Sequence, residues 1–83
     1  MKILYFARVR QIVGRGAEER EIPVHVKTVS ELMEFLSAGD ESVAAAFAER
    51  RTIRAAVDQN HAALDASVVG AKEVAFFPPV TGG

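Results

Sequence analysis

Apolar and polar positions alternate along residues 2–10, the pattern that is typical of a β-strand. From Ile3 to Val9 every second residue is apolar or small, so these side chains share one face of the predicted strand. Leu4 and Phe6 make the other face apolar at its start. A strand that is apolar on both faces is either covered on both sides or presents one face to a partner.

The following stretch is more polar and predicts a second strand over residues 18–26. Gly14 and Gly16 bracket a turn between the two strands, so we expect the chain to begin with a β-hairpin. Pro23 has no backbone N–H to donate to a neighbouring strand. The second strand is therefore predicted to lie at an edge of the sheet.

Two helices are predicted after this hairpin. Thr28 and Glu31 have the spacing of a capping box, in which each side chain accepts a hydrogen bond from the other residue's backbone. Helical spacing of apolar positions continues until Gly39, which ends the first helix. Those positions are Val29, Leu32, Met33 and Leu36. Asp40 can cap a second, short, alanine-rich helix that ends near the arginine pair at 50–51, where the helix dipole favours cations.

The remaining sequence returns to strand patterns. Residues 53–57 alternate as a third strand, a polar turn follows at 58–60, and a short fourth strand is predicted near 61–64. After a turn at 70–72, residues 73–77 form the last predicted strand. The order of elements predicts an α+β fold, in which one main helix and a short second helix accompany a mixed β-sheet.

Length and charge narrow the functional classes. With 83 residues the chain is expected to form one domain around one core. The net charge of the chain is -1, and its basic residues are scattered and form no broad basic field. This argues against binding of nucleic acid or of anionic lipid. No run approaches the roughly 18 apolar residues of a membrane span, and no signal-peptide pattern opens the chain. We therefore expect a cytoplasmic protein without a membrane partner.

The sequence contains no cysteine, which excludes a disulfide scaffold, a thiolate zinc site, an iron–sulfur cluster and a cysteine nucleophile. His25 and His61 are single histidines without the spacing of metal ligands, and we interpret both as structural or exposed. No metal site is predicted.

The C-terminus has the clearest candidate chemistry. Pro78 and Pro79 have no backbone N–H and are predicted to end the last strand. Residues 78–83 would span about 20 Å if extended. We therefore predict a domain over residues 1–77 and a mobile tail over residues 78–83.

The residues of this tail become smaller towards its end. Val80 and Thr81 are small enough to pass through a narrow channel, and Gly82 and Gly83 have no side chain that would hinder approach to the terminal carboxylate. A carboxylate becomes an acyl donor only after activation, for example by adenylation. Two terminal glycines alone are typical of a frayed end, but here they follow a strand, two aromatic residues and two prolines.

These residues resemble a known family. The last strand and tail are similar to the C-terminal signature of the small subunit of molybdopterin synthase, a ubiquitin-like β-grasp sulfur carrier, in the run Phe76-Phe77-Pro78-Pro79-Val80-Thr81-Gly82-Gly83. Residues 4–10 resemble the first strand of that family, and residues 57–60 resemble its third-strand turn. The likeness spans the whole chain. One departure is the run Gly70-Ala71-Lys72-Glu73, where the family has an acidic turn.

The resemblance implies that an E1-like adenylyltransferase activates Gly83 with ATP and magnesium, and that a persulfide sulfur donor then supplies a thiocarboxylate. The tail would enter the large synthase subunit and donate sulfur to cyclic pyranopterin monophosphate, forming the molybdopterin dithiolene. The family assembles as a heterotetramer around a large-subunit dimer. The chain would not be an enzyme on its own and would bind no cofactor itself, because the catalytic groups are expected in the large subunit.

A partner-binding surface is expected beside the tail. It comprises Phe6, Phe76, Phe77, Pro78 and Pro79. Because strand residues alternate, at least one of the two adjacent phenylalanines is expected to face away from the core. Five of the arginines are interpreted as a solvated charged face, with an acidic partner surface as the alternative. They are Arg8, Arg10, Arg50, Arg51 and Arg54.

Two other functions stay open at this point. Gly-Gly ends are shared by sulfur carriers for thiamine and for thiolated tRNA, although the double proline and the length favour the molybdopterin branch. The second alternative is that the chain is a ubiquitin-like binding module in which the tail has no chemical role. An extra residue at the C-terminus would disable a carrier and leave such a module intact.

Overall fold

The structure is a computed structural model that describes residues 1–79. Five strands form one mixed sheet in the order β2-β1-β5-β3-β4, and they comprise β1 (Lys2–Tyr5), β2 (Ala17–Glu19), β3 (Arg54–Val57), β4 (Asn60–Ala62) and β5 (Glu73–Phe77). The last strand in the sequence, β5, lies at the centre of the sheet, parallel to β1 and antiparallel to β3. The predicted α+β class with a mixed sheet is confirmed.

A helix replaces the second half of the predicted first strand. The strand over residues 2–10 is wrong beyond Tyr5, because α1 (Ala7–Val13) follows directly. Ala7 turns the chain with a left-handed φ of 52°. The helix buries Val9 and Val13, which are one helical turn apart, and it packs against the later short helix. Gly14 ends α1 at a φ of 87°, which favours glycine.

The second strand is shorter than predicted. β2 comprises Ala17–Glu19 and not residues 18–26, because β1, its one neighbour among the described strands, begins at Lys2, which pairs with Glu19. Pro23 therefore lies beyond the strand. The predicted edge position of β2 is correct, and the hairpin between β1 and β2 has α1 inserted in its connection.

Both predicted helix starts are confirmed. α2 (Val29–Ala38) begins with the complete capping box: the Glu31 N–H donates to Thr28 Oγ1 at 3.1 Å, and the Thr28 N–H donates to Glu31 Oε1 at 3.1 Å. α3 (Glu41–Ala46) begins at Asp40, whose carboxylate accepts from two backbone N–H groups. A short 3-10 turn, Arg50–Thr52, then leads into β3.

A single hydrophobic core joins the helices to one face of the sheet. The core side chains with 0% exposure comprise Ile3, Tyr5, Val29, Leu32, Met33, Leu36, Val43, Val74 and Phe76. All these residues come from elements that the sequence marks as apolar, and their burial provides the main driving force for folding.

A polar network, which we call the Arg15 network, closes one end of this core. The Tyr5 hydroxyl donates to Glu18 Oε2 at 2.7 Å, and Arg15 Nη2 donates to Glu18 at 2.6 Å and to Asp40 at 2.8 Å. Burial and the Glu18 carboxylate raise the pKa of Tyr5. Burial acts to raise the pKa of Glu18, but the hydrogen bonds from Tyr5 and Arg15 outweigh it and lower that pKa. The hydrogen bond from Arg15 also lowers the pKa of Asp40.

Candidate functional site

The end of β5 is held on both sides by neighbouring strands. Phe76 lies opposite Tyr5 of β1, and Phe77 lies opposite Arg54 of β3. The backbone N–H of Phe6 donates to the carbonyl oxygen of Phe76 at 3.0 Å, which extends the parallel ladder by one bond. The point at which the chain leaves the sheet is therefore set by the central strand of the fold.

The strand ends where the prolines begin, as predicted. β5 stops at Phe77, and Pro78 and Pro79 follow outside the sheet with half-buried side chains. The predicted tail residues lie outside the described residues 1–79, and they comprise Val80, Thr81, Gly82 and Gly83. The division into residues 1–77 and 78–83 stays a prediction.

The two adjacent phenylalanines occupy opposite faces of the sheet. Phe76 is fully buried, with its ring centroid 4.8 Å from that of Phe47 and 6.4 Å from that of Tyr5. The expectation that the Phe76 ring forms part of an exposed patch is wrong, because β5 directs this side chain into the core. Phe77 is half-buried on the other face, as expected for one of the pair.

An apolar surface remains beside the start of the tail. The Phe6 side chain is 47% exposed, and Phe77 follows on the neighbouring strand with Pro78 and Pro79 after it. We call these four residues the tail-root surface. The His61 ring meets Phe77 edge-on at a centroid distance of 5.5 Å, a contact that the sequence analysis missed because it depends on the register of β4.

A row of four side chains continues from this surface along the same face of the sheet. The strand register places Leu4 beside Ala75, Ala75 beside Ala56 and Ala56 beside His61. Because strand side chains alternate, this row lies on the face opposite the buried Val74. The alanines at the centre of this row are small, and Ala75 is only 7% exposed, so little of the row is open to a partner.

Asp58 fixes the start of β5, another role that sequence reasoning missed. Its Oδ1 accepts hydrogen bonds from the backbone N–H groups of Lys72 at 2.9 Å and Glu73 at 3.0 Å. Its own N–H donates to the Glu73 carbonyl oxygen at 2.9 Å. Asp58 and Gln59 have positive φ angles of 48° and 71°, as in the tight turns that join two antiparallel strands. The carboxylate that binds the turn before β5 thus comes from Asp58 on the β3–β4 hairpin.

Residues 1–79 contain no group of three or more His, Cys, Asp or Glu side chains that could hold a metal ion. None of the helices in this range is long and apolar enough to span a bilayer.

Comparison with known proteins identifies the family. The family model for the ThiS family matches residues 3–83. Over 83 residues the chain is 39% identical to the molybdopterin synthase sulfur carrier subunit of Escherichia coli strain K12, covering 100% of this chain and 99% of that protein. The chain belongs to the ThiS family, on the branch of the molybdopterin synthase sulfur carrier subunits.

Further relatives agree with this placement of the ThiS-family chain. The molybdopterin synthase sulfur carrier subunit of Haemophilus influenzae is 32% identical over 83 residues, covering 100% of this chain and 99% of that protein. A Pyrococcus furiosus structure, provisionally named as subunit 1 of the molybdopterin converting factor, is 30% identical with a TM-score of 0.70 and 95% coverage of both chains.

The ThiS-family fold also extends to more distant structures. The crystal structure of SAMP1 from Haloferax volcanii has a TM-score of 0.72 at 22% identity, covering 99% of this chain and 97% of that chain. At this identity the likeness shows the fold alone, and it confirms the predicted ubiquitin-like β-grasp architecture.

Proposed function

We propose that the chain is the sulfur carrier subunit of a molybdopterin synthase and that Gly83 carries the sulfur. The observation that supports this proposal is the full-length similarity to two sulfur carrier subunits of that synthase. The fold is consistent with it, because the central strand ends at Phe77 beside the exposed ring of Phe6, where a partner can reach the start of the tail.

In the proposed chemistry, the terminal carboxylate of Gly83 attacks the α-phosphorus of ATP on an E1-like adenylyltransferase, and pyrophosphate leaves. A persulfide sulfur then attacks the acyl carbon and AMP leaves, which forms an acyl disulfide. A thiol cleaves the sulfur–sulfur bond and releases the thiocarboxylate. Glycine suits the persulfide attack because no side chain shields the carbonyl carbon. ATP and magnesium are held by the activating enzyme and not by this domain.

The loaded tail then enters the large subunit, in a heterotetramer with one carrier at each end of a large-subunit dimer. The thiocarboxylate acts as the nucleophile toward cyclic pyranopterin monophosphate, and two transfers complete the dithiolene of molybdopterin. The catalytic groups belong to the large subunit, so the carrier is non-catalytic by itself. The absence of cysteine fits this role, because an internal thiol would compete for the activated terminus.

The tail-root surface is the proposed docking surface for these partners. Phe6, Phe77, Pro78 and Pro79 surround the start of the tail, and exposed apolar surface of this kind marks sites of protein association. Phe76 supports this surface indirectly, because its buried ring holds β5 against the core. Docking beside the tail root would place the terminus in the partner's active site at a fixed distance.

The intact mass of the purified chain tests the carrier function. Incubation with the adenylyltransferase, ATP, magnesium and a persulfide donor should add about 16 Da, the replacement of one oxygen by sulfur, at Gly83. The control is a chain that lacks Gly83. An unchanged mass, with an adenylyltransferase shown to be active on another carrier, would refute the carrier function.

Transfer to the acceptor is measured separately. The loaded chain mixed with the large subunit and cyclic pyranopterin monophosphate should form molybdopterin and regain its original mass. Loading without this transfer would leave a sulfur carrier and refute its assignment to molybdopterin synthesis.

A further inference from the structure

An open groove of ≈ 340 Å³ lies beside β3 and has three arginines along its wall. Arg50 and Arg51 come from the 3-10 turn, Arg54 is the first residue of β3, and residues 62–64 also line the groove. Ile53, which is 3% exposed, contributes to an apolar floor. We call this feature the arginine groove. An apolar floor with guanidinium groups at its rim suits a peptide segment that carries both apolar and acidic side chains.

Two of these guanidinium groups are held in place by hydrogen bonds. Arg50 Nη1 donates to Ser30 Oγ at 2.6 Å. Arg54 Nη1 donates to the carbonyl oxygens of Arg51 at 3.1 Å and Ile53 at 3.2 Å. Both residues make these bonds through one nitrogen of the fork, so further N–H groups can meet an incoming carboxylate. A positioned guanidinium loses less conformational entropy on binding than a mobile one.

The carboxylates near the arginine groove balance its charge only loosely. Arg50 Nη2 lies 3.7 Å from Glu34, and Arg51 Nε lies 3.4 Å from Glu49, with glutamate side chains that are 69% and 62% exposed. In the Arg15 network, by contrast, the two ion pairs measure 2.6 and 2.8 Å. Loose exposed pairs contribute little to stability and exchange readily for a better partner.

The arginine groove is close to the start of the tail. Arg54 is the direct neighbour of Phe77 in the register of β3 with β5. The groove therefore lies next to the tail-root surface. A protein that binds the tail-root surface would also cover the arginine groove. β4, which leads into residues 62–64, is an edge strand of the sheet, so a partner can reach the groove from the side.

We propose that the arginine groove is a second contact surface of the carrier and binds an acidic segment of the protein that receives the tail. This inference rests on the proposed carrier function. Charge complementarity with the arginines would orient the partner before the tail inserts and would raise the association rate. The effect is distinct from apolar docking at the tail-root surface, because added salt weakens it.

Protein carboxylates fit the arginine groove better than a nucleic acid does. Phosphate backbones are bound by extended basic surfaces, whereas these three arginines share one short groove with Glu34 and Glu49 nearby. The net charge of the whole chain is -1, which repels a polyanion at longer range.

Charge reversal tests the proposal. The variant Arg51→Glu/Arg54→Glu is compared with Lys27→Glu/Lys72→Glu, which changes the net charge equally at two exposed residues outside the groove. Arg50 is left intact because it contacts Ser30 on α2. Affinities for the large subunit and for the adenylyltransferase are measured by calorimetry at about 0.05 and 0.5 M salt, and thermal melts verify that each variant is folded.

We expect the groove variant to bind at least one of the two proteins about five- to fiftyfold more weakly at low salt, with the difference shrinking at high salt. The lysine control should change affinity less than about twofold. Two outcomes would contradict the proposed role of the groove and leave the carrier function unaffected. One is an equal loss of affinity in both variants, and the other is no loss in the groove variant while the wild-type chain binds. A wild-type chain that binds neither protein would overturn both proposals.

Competition by inorganic phosphate tests whether the arginine groove is instead a site for a small anion. If about 10 mM phosphate displaces neither partner beyond the effect of equal ionic strength, the acidic protein segment is supported. Specific competition by phosphate that the groove variant abolishes would identify a small-anion site and would overturn the proposal.

Discussion

The two ends of β5 are held in different ways. At its start, the carboxylate of Asp58 accepts hydrogen bonds from the backbone of Lys72 and Glu73. At its end, the buried ring of Phe76 holds the strand by packing, and Pro78 then ends the ladder. The start of β5 is thus held by polar contacts, and its end, which leads into the tail, is held by apolar packing. We therefore expect fold and function to be separable along this strand, because within the described residues 1–79 nothing beyond Phe77 contributes to the sheet.

The largest effect should come from a change at the very end of the chain. One extra alanine after Gly83 should reduce sulfur loading by at least about a hundredfold, because the carboxylate moves away from the position that the activating enzyme sets. The free energy of unfolding should change by less than about 0.5 kcal/mol. Loading is measured by intact mass and stability by urea unfolding. Efficient loading of the extended chain would contradict the requirement for a terminal Gly83, and a loss of stability would contradict the separation of tail and fold.

Next in size is the difference between the two adjacent phenylalanines. Phe76→Ala should lower the free energy of unfolding by about 3–5 kcal/mol, because it removes a fully buried ring. Phe77→Ala should cost about 1 kcal/mol or less, since its half-buried ring leaves a smaller cavity. Urea unfolding measures both values.

The same pair separates packing from docking. Phe77→Ala should weaken binding of the large subunit although the variant remains folded, because the ring belongs to the tail-root surface. Calorimetry at a temperature at which the variant is fully folded measures this affinity. Equal stability losses in the two variants would contradict the assignment of the rings to opposite faces.

At the start of β5, Asp58→Ala should lower the free energy of unfolding by about 1–2 kcal/mol, because two backbone N–H groups lose a charged acceptor. Asp58→Asn should remain within about 0.5 kcal/mol of the wild type, since asparagine also accepts hydrogen bonds and also tolerates a positive φ. Chemical unfolding monitored by circular dichroism compares them. An asparagine variant as unstable as the alanine variant would show that the charge, and not the acceptor, matters.

The smallest effect concerns pH and the Arg15 network. The pKa of Asp40 is lowered by the hydrogen bond from Arg15, and that of Glu18 is lowered by hydrogen bonds from Tyr5 and Arg15 that outweigh the opposing effect of burial. Both carboxylates thus stabilise the fold above their unfolded pKa values, and this stability is lost as the pH falls through the lower folded values.

Thermal melts between about pH 6 and 3 measure this contribution. Arg15→Gln should flatten the decline of the melting temperature at acid pH, because Asp40 loses its cationic partner and Glu18 keeps only the longer contact with Arg20 at 3.5 Å. Arg51→Gln serves as the control, since Arg51 pairs only loosely with the exposed Glu49. An unchanged decline in the Arg15 variant would contradict the role of this network.

Part of the structure follows from local signals that the sequence contains. The start of α2 was predictable because Thr28 and Glu31 satisfy each other's backbone within one helical turn. The strand Glu73–Phe77 was predictable to the residue, because its alternation is bounded by a turn and by Pro78. The family was predictable from the tail run, and the comparisons agree.

Other features depend on distant parts of the chain. Residues 7–10 fit a strand period and a helix period equally well over so short a stretch, and the buried contact of α1 with α3 decides for the helix. The tight turn at Asp58 was expected, but its hydrogen bonds to the residues before β5 join segments 14 and 15 positions apart, which no local pattern reveals.

The sequence by itself therefore determined the helix caps, the last strand, the terminal glycines and the family, because each depends on neighbouring residues or on the chemistry of a single residue type. Only the tertiary structure decided that Phe76 is core and Phe77 is surface, that His61 meets Phe77, and that three arginines line one groove. The physical reason is that burial and strand register are set by the packing of elements far apart in the chain, and each such contact depends on all the others that fold with it.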